Sequence, residues 1–98
     1  MTELERISRM ELSLDQTNAA IADLNAQLER LEKMKAQVTE LFQYYGSESW
    51  YKDREISLPE GVKAGVLSED LPYDAVTDLR GAAFRMLELG TDILKNWL

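Results

Sequence analysis

An all-α fold is what this 98-residue sequence predicts, and three observations carry the prediction. Ile7, Met10, Leu14, Thr17, Ile21, Leu24, Leu28 and Leu31 follow one another at alternating spacings of three and four, the rhythm of a helix with one apolar seam. No Gly or Pro interrupts residues 2–45. A second three-four rhythm, through Val76, Leu79, Ala83, Met86, Gly90, Ile93 and Trp97, runs to the end of the chain. The reading is a single helical domain over 1–98. A long N-terminal helix (1–45) and a C-terminal helix (68–98) pack as an antiparallel hairpin, joined by an ordered connection (46–67) with short helical turns and completed by oligomerisation.

The first helix is rich in Leu, Ala, Glu, Gln and Lys, with Glu5/Arg9 and Glu29/Lys33 at the i,i+4 spacing in the favourable acid-first order. After Leu31 the seam shifts. Met34, Val38, Leu41 and Tyr45 continue it only by taking two successive steps of three, as a stammer does, which disfavours a strict long coiled coil. The positions flanking the seam, Arg6, Glu11, Ser13, Asn18, Ala20, Asn25, Gln27 and Glu32, are mostly uncharged and give a parallel zipper little ionic register control. Packing in a hairpin or bundle fits this pattern better.

Gly46 ends the first helix. The 22 residues that follow are too many for a structureless loop inside a compact domain. Ser47 is placed to cap one turn through Trp50 to Asp53, and Pro59 to open another that stops at a left-handed Gly65. Ser68-Glu69-Asp70 then offers an N-cap and two acids for the first turn of the last helix, with Pro72 early enough to be tolerated. Gly81 and Gly90 each cost this helix about 1 kcal/mol relative to Ala, and close approach to the long helix is the expected compensation.

Composition excludes much chemistry. The chain has no Cys and no His, so disulfides, thiolate metal sites and the commonest general base are absent. Ser47, Ser49, Ser57 and Ser68 have only carboxylates, lysines and tyrosines as helpers, and Gly61 and Gly65 lack the Lys-Ser ending of a phosphate-binding loop. Asp70, Asp74 and Asp78 recur every four residues, yet acids in the first turns of a helix are accounted for by its dipole. The expectation is a protein that is not an enzyme, with no cofactor, no metal and no small-molecule substrate. With net charge −7 it is repelled by phosphate backbones and anionic membranes, so neither nucleic acid nor a membrane is an expected direct partner. The N-terminal residues have no signal-peptide pattern, and charges interrupt every long apolar stretch, which together point to the cytoplasm.

Glu5-Arg6-Ile7, Tyr44-Tyr45 with Trp50 and Asp53, and Gly65-Val66-Leu67-Ser68-Glu69-Asp70 followed by Tyr73-Asp74 form a recognisable set. With them the chain, up to about Asp78, resembles a family of small acidic bacterial proteins known only as a domain of unknown function. The resemblance implies a bacterial, cytoplasmic, stand-alone helical protein and no established activity.

The expected role is helical contact: an interaction or scaffold protein whose partner is itself or another protein. The alternative is an acidic inhibitor, or nucleic-acid mimic, that blocks a basic protein surface. Two groups are candidates for contact. A 44-residue helix against one of about 30 leaves roughly 20 Å uncovered in a hairpin, exposing Leu4, Ile7, Met10 and Leu14. Phe42, Tyr44, Tyr45, Trp50 and Tyr51 place five of eight aromatics within ten residues, either as a mini-core for the connection or, through Tyr44, Trp50 and Tyr51, as an anchor patch.

Overall fold

The computed structural model describes residues 2–98, and the chain divides into two compact units between Val38 and Thr39. The described residues form helices and turns with no strand. In chain order these are α1 (Glu3–Lys33), α2 (Lys35–Tyr44), α3 (Glu48–Asp53), a 3-10 turn (Gly65–Leu67), α4 (Asp70–Asp92) and a π turn (Ile93–Trp97). Among the described residues no helix is long and apolar enough to cross a membrane.

Helix α1 starts where Thr2, in extended conformation, accepts the Glu5 N–H on its Oγ1 at 3.2 Å. Glu3 and Glu5 lie in the first turn and Arg30 and Lys33 in the last, both favourable to the helix dipole, and Lys33 pairs with Glu29 at 3.1 Å. Burial contributes nothing comparable. No residue of α1 is buried, only Leu28 is half-buried, and seam residues Ile7, Leu14, Ile21 and Leu24 are each at least 50% exposed. Along α1 the seam is open to solvent.

The unbroken helix expected over 1–45 is instead two helices. Met34, at φ −86° and ψ −2°, lies between them, and its N–H is shared by the carbonyls of Arg30 at 3.2 Å and Leu31 at 3.1 Å. That shared bond tightens one turn toward 3-10 geometry, the overwinding a stammer requires, and it falls where the seam takes its two steps of three. Val38 N–H to the Met34 carbonyl, at 2.8 Å, resumes the α-helical ladder.

Helix α2 ends at Gly46, whose φ of +78° only glycine adopts without strain. Ser47 caps α3 through its Oγ, which accepts the Trp50 N–H at 3.2 Å. The helical turn expected from Pro59 to Gly65 does not form. The left-handed glycine is Gly61, at φ +86°, in a tight turn closed by Val62 N–H to the Pro59 carbonyl, and Gly65 opens the 3-10 turn rather than stopping a helix. A Cβ on Gly65 would meet Leu71 Cδ1 at 3.0 Å, so the role of this glycine is close approach.

Ser68 is extended, and its Oγ accepts the Leu71 N–H at 2.9 Å, capping α4 as its sequence position suggests. Pro72 is buried in the first turn, where its missing N–H costs nothing. The compensation expected for Gly81 and Gly90 is not found, since a Cβ at either position would meet no atom within 4 Å. The last turn widens to π geometry, which brings Trp97, five residues on, over Asp92.

Candidate functional site

The second unit is organised around Trp50, the one buried hydrophobic side chain among the described residues apart from Pro72, at 2% exposure. The Ser47 cap fixes the start of α3, and a single turn of helix carries the indole inward. Tyr45 meets it edge-on at 5.1 Å between ring centres, and Tyr51 at 4.9 Å. The Arg54 guanidinium, one helical turn on, lies 4.6 Å from the ring centre and reaches Glu69 at 3.4 Å. The indole N–H donates to the Val66 carbonyl at 2.9 Å, so the buried nitrogen is satisfied by the 3-10 turn.

Two tyrosines close the joint. Tyr45 Oη donates to the Glu69 carbonyl at 2.9 Å, tying the end of α2 to the start of α4. Tyr44 Oη donates to Asp53 Oδ2 at 2.6 Å, which holds the phenol pKa above its ordinary value; the bond to Asp53 is the main cause, followed by burial and the Asp53 charge. Both hydroxyls, and the indole, are thereby spent on internal bonds. The aromatic residues thus form a joint that packs the connection against α2 and α4.

The contact candidates separate on this geometry. Trp50 offers no surface, Tyr44 is half-buried, and Tyr51 is 59% exposed beside the indole. Phe42 and Tyr45 are half-buried, as are Val66 and Leu67. Leu4, Ile7, Met10 and Leu14 are exposed, from 51% for Met10 to 77% for Leu4, and the same exposure continues along the seam to Ile21 and Leu24. Phe84 and Leu87 on α4 are exposed too, at 59% and 68%.

Two contributors, Arg54 and Asp92, escaped the sequence reading, and Asp53 entered it only as the end of a turn and a member of the set that carries the resemblance. Arg54 was legible as the residue four after Trp50 on a short helix. Asp92 carried no such signal. It accepts Asn96 Nδ2 at 2.7 Å and Trp97 Nε1 at 2.8 Å, which holds its carboxyl below the usual aspartate range, with Asn96 the larger cause and Trp97 the second.

Among the described residues no group of three or more His, Cys, Asp or Glu is placed to hold a metal ion. What they present is an apolar helical stripe and a satisfied aromatic joint. A search among curated proteins finds no match. A family model described as a domain of unknown function, DUF4298, matches residues 7–89, a span that takes in the α1 seam from Ile7, the Trp50 joint and α4 as far as Leu89. The chain belongs to the DUF4298 family.

Proposed function

We propose that this protein is a non-enzymatic helical interaction or scaffold protein that acts in the cytoplasm through the apolar face of α1. One observation carries the reading: a 31-residue helix with no buried residue and an eight-position seam that is apolar except at Thr17. Helices of globular proteins owe most of their stability to packing of such a face, so a seam of this length calls for a covering surface. Absence of His and Cys favours contact over catalysis, and the lack of Cys suits a reducing compartment.

Capture from bacterial lysate on tagged protein, repeated across a salt series, tests this. Recovery of a helical partner or of the protein itself, resistant to salt and lost in Leu14→Asp, is the expected result. A basic, nucleic-acid-handling partner released by salt and indifferent to Leu14→Asp would assign the contact to the acidic surface instead, as an inhibitor or mimic. Turnover in a hydrolase or phosphatase screen that disappears on replacing one carboxylate would overturn the non-enzymatic reading.

A further inference from the structure

We infer that the surface covering the α1 seam is a second copy of this chain, aligned parallel and in register over Ile7–Leu31. The inference rests on the contact reading above and goes further by naming the occupant and its orientation. The break at Met34 removes the objection that the seam shift raised against a coiled coil, because the stammer lies outside α1 and within α1 the three-four spacing is strict.

Heptad positions follow from that spacing. Ile7, Leu14, Ile21 and Leu28 take the a positions, and Met10, Thr17, Leu24 and Leu31 the d positions. Ile at two a positions with Leu at two d positions is the set that favours two parallel strands. Arg6 then falls at a g position and Glu11 at the e position five residues on. In a parallel in-register pair Arg6 faces the partner's Glu11, and the contact occurs twice by symmetry. Both side chains are exposed, and neither is ion-paired among the described residues.

The one polar seam residue points the same way. In a parallel pair Thr17 meets the partner's Thr17, and two hydroxyls can hydrogen-bond each other. In a fully overlapped antiparallel pair Thr17 instead packs on the partner's Ile21, while Arg6 falls beside the partner's Met34 and Glu11 beside the partner's Asn25. That arrangement strands a hydroxyl against an aliphatic side chain and makes no ionic contact. Charge and seam polarity therefore select the same orientation.

Because the sequence contains no cysteine, single cysteines report the geometry directly. Thr17→Cys and, independently, Met10→Cys should each cross-link to a covalent dimer under mild oxidation, while Ala19→Cys, on the far side of the helix, should not. Arg6→Glu should weaken association roughly five- to ten-fold, and adding Glu11→Arg should restore it. A dimer that cross-links only when Thr17→Cys is mixed with Ile21→Cys would overturn the parallel alignment. Monomeric protein at high micromolar concentration, with Leu14→Asp still abolishing capture of a different protein, would overturn the second copy and leave the contact reading standing. Monomeric protein whose capture is indifferent to Leu14→Asp would overturn both.

Discussion

Helix α1 and the Trp50 joint divide the work of apolar side chains in opposite ways. In α1 the pattern is regular over eight seam positions, and none of them is buried. Around Trp50 there is no period at all, yet the joint contains the indole that is 2% exposed, two ring contacts, a stacked guanidinium and hydrogen bonds to Val66 and Glu69. Periodicity tells which face of a helix is apolar. It does not tell what covers that face, whereas an aperiodic cluster flanked by caps and a left-handed glycine is tied down by its own short-range bonds.

The largest expected effect breaks the comparison at its strongest point. Trp50→Ala should cost about 3–5 kcal/mol, comparable to the whole margin of a small folded unit, and abolish the cooperative urea transition of residues 39–98. Leu24→Ala, measured in dilute monomeric protein, should change stability by less than about 0.5 kcal/mol because the side chain is already 52% exposed. Equal losses at the two sites would erase the distinction. Next in size, Ser68→Ala should cost about 0.5–2 kcal/mol and Tyr45→Phe about 0.5–1.5 kcal/mol in the same melts, each removing one bond that fixes the start of α4.

Smaller and opposite in sign are the two α4 glycines. A Cβ at Gly81 or Gly90 meets open space, so Gly→Ala at either should raise stability by about 0.5–1 kcal/mol. A loss there would mean that a partner approaches α4 closely. The smallest effect is confined to the last turn. The Asp92 carboxyl lies below its ordinary value of 3.8, so its bonds contribute above that value and are lost as pH falls through the lowered one. Acid titration followed at the Trp97 indole N–H resonance should show that release while the Trp50 indole resonance stays fixed, and simultaneous movement of both would argue against a local clamp.

Local chemistry made much of the fold legible. Ser47 and Ser68 could be assigned as caps because each hydroxyl meets an N–H only three residues on, and Gly46 as a stop because the helical pattern ends there. Met34 was half legible: the phase shift was visible, but the turn that absorbs it depends on which backbone bonds are shared. The Pro59–Gly65 segment misled because Gly61 and Gly65 are equally good stops by composition, and only chain closure at Val62 selects Gly61. Nothing in residue order distinguished Trp50, which goes inside, from Tyr51, which stays 59% exposed. The cover for α1 was least legible of all, since it rests on what lies beyond the helix.

Amide hydrogen exchange across a dilution series tests the central claim most directly. If α1 is held by contact along its seam, amides of residues 7–31 should be protected at high micromolar concentration, lose that protection on dilution, and lose it at every concentration in Ile21→Asp, while the amides around Trp50 keep theirs throughout. Protection of residues 7–31 that is independent of both concentration and Ile21→Asp would contradict the account.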